Sequence, residues 1–248
     1  MKVAAIGLLL PLVATSQLQP RVTGYGDAPG NGVIAQFVDG GSWKTIVTLI
    51  NLDNRAGSYT LRFYADNGSP MTIQTTDGTG TTLTGRIPPA GSHVIQSAGT
   101  SPTLSQGWAL LEPGNRNIGG SAIFRESIPG GPDFEASQPI VWSRNANLYV
   151  VPMDNITSAT GIAIVNPDSR TSITVFVRFW NEQGNQFLAD SFTLAPLTHM
   201  AFNLADRYPA SAGRRGVVEF VTPNLPIGLL GLRFGAESFT SVLPLTYF

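Results

Sequence analysis

The chain has 248 residues, enough for one large domain or two of about 100–150 residues each. Apolar residues make up 42 % and charged residues 12 %, the latter about half the share of an average soluble domain. Lys and Arg number 15 against 16 Asp and Glu, for a net charge of −1, so no basic field exists to hold nucleic acid or acidic lipid. The lack of cysteine excludes disulfide frameworks, thiolate zinc sites, iron–sulfur clusters and a cysteine nucleophile.

The first segment has the pattern of an export signal. Met1-Lys2 supplies a short positive region, residues 3–13 are an apolar run, and Ala14-Thr15-Ser16 places small residues before a cleavage point after Ser16. The run is too short for a hydrocarbon core of about 30 Å, and Pro11 interrupts it. No later stretch is long and apolar enough to cross a bilayer, so the mature chain is expected to have no membrane span and to be secreted or periplasmic. Residues 17–34 follow, with Pro20, Pro29 and four glycines. This composition predicts an extended N-terminal arm, packed on the next domain or added to a sheet edge of another subunit.

From Ala35 onward the apolar period is two. Tyr59, Leu61 and Phe63 share one strand face, and Ile173, Val175, Val177 and Phe179 share another. Asp66-Asn67-Gly68 and Glu182-Gln183-Gly184 close each of these strands with a tight turn. Residues 45–52 and 161–165 are the strands before them, and a short helical turn is expected around 204–208. Strands at regular spacing, punctuated by Gly, Pro, Asn and Asp, predict an all-β chain of β-sandwiches.

The chain also repeats itself. Leu49-Ile50-Asn51-Leu52-Asp53 is answered by Ile164-Val165-Asn166-Pro167-Asp168, and Leu61-Arg62-Phe63-Tyr64 by Val177-Arg178-Phe179-Trp180. Ile87-Pro88-Pro89 is answered by Leu194-Ala195-Pro196, Gly107-Trp108-Ala109-Leu110 by Gly216-Val217-Val218-Glu219, and Ala122-Ile123-Phe124-Arg125 by Gly231-Leu232-Arg233-Phe234. Five matches in one order and at a near-constant offset mean duplication. The expected organisation is a signal peptide (1–16), an arm (17–34), and two tandem immunoglobulin-like β-sandwich domains (35–144 and 145–248).

With Phe37-Val38-Asp39-Gly40-Gly41-Ser42-Trp43-Lys44-Thr45, Asn51-Leu52-Asp53, Leu61 to Gly68, Gly107-Trp108-Ala109 and Ser121 to Arg125, the chain resembles a family of uncharacterised exported bacterial proteins. These carry tandem β-sandwich repeats of ~100 residues. The second copy keeps Asn166-Pro167 and Arg178-Phe179 but loses the Gly40-Gly41-Ser42-Trp43 entry, showing Ser158-Ala159-Thr160 instead. The resemblance covers nearly the whole mature chain. It implies a fold and an exported location and brings no catalytic residue with it.

A search for chemistry yields little. His93 and His199 are the only imidazoles, and no G-x-S-x-G elbow accompanies them; both are read as strand-edge packing. Glu112, Glu126, Asp133 and Glu135 could form a glycosidase pair, but the second copy offers only Glu219 and Glu237, and acids at strand ends are ordinarily solvated. Asp39, Asp53-Asn54 and Asp66-Asn67 could ligate Ca²⁺, yet Asp and Asn are also the common turn residues, the reading adopted here. No catalytic, cofactor or metal site is therefore expected, and the chain is not read as an enzyme.

Trp43, Arg62, Tyr64, Arg178 and Trp180 remain as candidate partner-binding residues, because an arginine beside an aromatic can hold a sugar or a protein. Trp108 is expected in the core. The leading expectation is a secreted structural or adhesive protein of the bacterial surface or matrix, a homo-oligomer or polymer self-assembling through its arm. The alternatives are a module binding a surface glycan or protein and, behind that, a glycoside hydrolase.

Overall fold

The structure, a computed structural model, describes residues 31–114, 117–140, 146–223, 225–236 and 238–247. The predicted signal peptide, residues 17–30 of the arm, and Glu237 lie outside them. The described residues are all-β apart from a four-residue helix and one 3₁₀ turn.

In the first half the strands are β1 (Gly32–Asp39), β2 (Trp43–Asn51), β3 (Gly57–Ala65), β4 (Ile73–Thr75), β5 (Gly78–Gly80), β6 (Thr82–Ile87), β7 (Ser92–Gln96), β8 (Ser105–Pro113), β9 (Ile118–Glu126) and β10 (Phe134–Pro139). They form two antiparallel sheets, β1-β8-β3-β6 and β10-β9-β2-β7, with β4-β5 a separate hairpin. The inward residues of β3 (Tyr59, Leu61, Phe63) and of β1 and β8 (Ile34, Phe37, Ala109, Leu111) meet Val47, Leu49, Ile95 and Ala122 of the other sheet in one core. That arrangement is two sheets face to face. β1 begins at Gly32, so residues 32–34 of the expected arm lie in a paired strand.

The second half contains β11 (Leu148–Asp154), β12 (Ala159–Val165), β13 (Ile173–Asn181), β14 (Gln186–Leu194), β15 (His199–Asn203), α1 (Leu204–Arg207), β16 (Arg215–Val221), β17 (Gly228–Phe234), β18 (Phe239–Val242) and β19 (Leu245–Tyr247). Its sheets run β14-β13-β16-β11-β19 and β15-β12-β17-β18. With β19 set aside, these are the two orders of the first half again. β11, β12 and β13 stand for β1, β2 and β3, and β14 to β18 stand for β6 to β10. Ile173, Val175, Val177 and Phe179 fill the second core, as the alternation requires.

Registers match as well as orders. Thr45 pairs with Phe124 and Thr160 with Arg233. Tyr64 pairs with Trp108 and Trp180 with Val217. Arg125 pairs with Glu135 and Phe234 with Phe239. The repeated asparagine has a structural cause. Buried Asn51 donates from Nδ2 to the carbonyls of Arg55, Ile87 and Pro88 and accepts the Asp53 N–H. Buried Asn166 donates to Thr171, Leu194 and Ala195 and accepts the Asp168 N–H. One amide thus satisfies a chain corner that no strand can reach.

A third apolar cluster joins the halves. Val33, Ala35, Val38, Trp108, Leu110, Phe124 and Ala136 of the first half pack on Ala163, Val165, Leu230, Leu232 and Phe239 of the second. β1 is therefore buried on both faces, and its free edge is closed by a side chain: Gln138 accepts the Ala35 N–H and donates to the Gln36 carbonyl.

Candidate functional site

The junction shows what the repeated sheet face can hold. Phe239, on β18, enters a seat on the first half, with its ring 5.4 Å from Trp43 and 6.0 Å from Phe124, the latter nearly parallel at 4°. Tyr64 stacks on Trp108 at 4.7 Å, and the Trp108 indole N–H donates to the Leu197 carbonyl of the second half at 2.8 Å. Leu197 has a left-handed backbone, φ 58°, and that turn also brings His199 to Asp66. The His199 backbone N–H donates to the Asp66 carbonyl at 2.9 Å, and its buried imidazole meets the Asp66 carboxylate through Nδ1 at 2.8 Å. A carboxylate oxygen accepts, so Nδ1 carries the proton there.

The counterpart of that seat in the second half is a cleft of about 760 Å³. Asp154, Thr160, Trp180, Arg215, Val217 and Arg233 line it. In register they stand for Val38, Thr45, Tyr64, Gln106, Trp108 and Phe124 of the filled seat. The backbone support is kept: the Thr45 hydroxyl bonds both Val38 N–H and C=O, and the Thr160 hydroxyl bonds those of Asp154. An apolar floor has become a charged one on the same frame.

Asp154 organises the charge. Its Oδ2 lies 3.1 Å from Arg215 Nη2 and 3.6 Å from Arg233 Nη2. Its Oδ1 accepts the N–H groups of Ile156 and Thr157. Desolvation pushes the Asp154 carboxyl up, but these N–H donors, Arg215 and the Thr157 hydroxyl together hold it well below the usual carboxylate range. Both guanidinium groups remain exposed enough to take a second carboxylate. The Trp180 indole nitrogen is buried and has no hydrogen-bond partner among the described residues, an uncompensated cost.

The five partner-binding candidates separate. Trp43 is half-buried against Phe239 within the same chain. Tyr64 likewise packs into the junction. Arg62 pairs with Glu112 at 2.8 Å. Arg178 is exposed on β13, opposite Glu219. Trp180 lies in the cleft. Asp154, Arg215 and Arg233 were not singled out in the sequence, because they come from three strands that meet only through sheet pairing. The available signal was Arg233 standing where the first copy has Phe124.

The other chemical candidates are occupied or dispersed. Asp133 and Glu135 pair with Arg125, and His93 meets Asp77. Among the described residues no group of three His, Asp or Glu stands close enough to hold a metal ion, and no helix is long and apolar enough to cross a membrane. Comparison with protein-family models and with curated proteins gives no match for this chain. The cleft's chemistry, two arginines on a shared carboxylate beside an indole N–H, suits binding of a carboxylate-bearing surface.

Proposed function

We propose that the chain is an exported, non-enzymatic structural or adhesive protein of the bacterial surface or matrix, made of two immunoglobulin-like sandwiches in tandem. The observation that carries this reading is the apolar junction, in which Phe239 of one repeat is seated against Trp43 and Phe124 of the other. Repeats packed on one another in this way suit a load-bearing or spacing element. The signal-like residues 1–16 and the resemblance to exported bacterial repeat proteins support the location.

A second reading is a module that binds a surface glycan or protein, favoured by the exposed Arg215 and Arg233 in a cleft that Trp180 also lines. Fractionation of producing cells with mass spectrometry of the recovered chain tests the leading reading. A surface or supernatant form beginning at Gln17 is expected, and a cytoplasmic form retaining Met1 would overturn it. Binding of that form to a glycan array, lost in Arg233→Ala, would favour the second reading.

A further inference from the structure

We infer that the open cleft receives the first half of a second copy of this chain, so that molecules associate head to tail. The joint between the two halves of one molecule is the template. There the outer face of β1-β8-β3 packs on the outer face of β12-β17. Duplication leaves the two corresponding faces without a partner. One is the outer face of β11-β16-β13, at the end of the second half; the other is the outer face of β2-β9 in the first half. The latter bares Ile50, 41 % exposed where its counterpart Val165 is fully buried, and Val94, 51 % exposed. The former bares Phe176, 43 % exposed.

The side chains that would meet across this second joint are complementary. Phe239, which fills the seat within one molecule, has Glu135 as its counterpart in the first half. Phe124, on which Phe239 stacks, has Arg233 as its counterpart in the second. A stacked Phe–Phe contact inside the molecule thus becomes an Arg–Glu contact between molecules. Phe234, also against Phe239 at 5.9 Å, has Arg125 as its counterpart. Both positions change together, and they change to opposite signs.

The turn chemistry points the same way. Leu197, whose left-handed turn offers its carbonyl to Trp108, corresponds to Ala90, which has the same backbone sense at φ 51°. An incoming first half therefore brings a carbonyl on the same kind of turn to the place where Val217 replaces Trp108, beside its β13 neighbour Trp180. The two faces are different surfaces, so the contact is heterologous and propagates as an open chain rather than closing as a dimer. This deepens the structural reading, yet association of purified protein is measured independently of where the cell places the chain.

Sedimentation velocity on residues 17–248, from about 1 to about 100 μM, tests it. The expected result is a concentration-dependent series extending past the dimer and suppressed between about 0.1 and about 1 M NaCl. Arg233→Glu and Glu135→Arg should each remain monomeric alone, while their equimolar mixture regains the series, because each supplies the charge the other's joint lacks. Circular dichroism verifies that both variants are folded, and the milder Arg233→Gln and Glu135→Gln should each weaken association at least about tenfold. A monomer throughout the range, a series that stops at the dimer, or a mixture no larger than its components would overturn the inference. So would loss of the series on deleting residues 17–30, which would place assembly in the arm.

Discussion

Where Trp43, Phe124 and Ala136 of the first half close over Phe239, the second half turns Arg233 and Thr240 to solvent at the matching positions. The strand order, the register, the corner asparagine and the threonine beneath the seat are the same in both. The side chains that face the next unit differ sharply. Joining of the halves is therefore separable from folding of each: the frame is held by core alternation and corner hydrogen bonds, and the joint is set by a few residues at its surface.

The largest effects should fall on what the halves share. Phe63→Ala and Phe179→Ala empty matched core positions that are almost fully buried, and each should cost about 3–5 kcal/mol in denaturant unfolding. A core that tolerated one of these but not the other would break the equivalence of the two frames.

Next come the corners. Asn51→Ala and Asn166→Ala each strip the donor from three carbonyls, for an expected loss of about 2–4 kcal/mol in either half. A marked asymmetry in urea midpoints would show that one corner is only decorative.

The joint residues should behave oppositely at matched positions. Phe239→Ala removes the ring that fills the seat and should cost about 2–3 kcal/mol. Its counterpart Glu135→Ala breaks only an exposed ion pair with Arg125 and should cost less than about 1 kcal/mol. Equal losses at the two positions would contradict the contrast between a filled and an open site.

The smallest effect is in pH dependence. The Asp154 carboxyl is held below its ordinary value in the folded chain, so its stabilisation is present above about pH 4 and is lost as pH falls through the folded value. Thermal melts of Asp154→Asn should therefore lie below wild type near neutrality and converge with it in acid. The counterpart Val38 does not titrate. A gap between wild type and variant that widened in acid would reverse the sign assigned to the cleft.

Much of the frame was legible in the sequence. The alternation Ile173, Val175, Val177, Phe179 placed one face inward and left Arg178 outward, as found. The Asn-x-Asp repeat marked both corners, although the reason for it, one buried amide serving three carbonyls, appeared only in three dimensions. The junction was less legible. The doubly buried β1 begins inside the segment read as an arm, and nothing local to Trp43 says that Phe239, far along the chain, will cover it. The cleft was missed because Asp154, Arg215 and Arg233 converge from β11, β16 and β17. Periodicity reports which way a side chain points and not which strand lies beside it.

The claim that the Phe239 seat makes one body of two repeats is tested most directly by differential scanning calorimetry of residues 17–248 beside Phe239→Asp. The account predicts a single wild-type transition with matching calorimetric and van't Hoff enthalpies, resolved into two when the seat is emptied and charged. Two wild-type transitions at temperatures that the substitution leaves in place would contradict it.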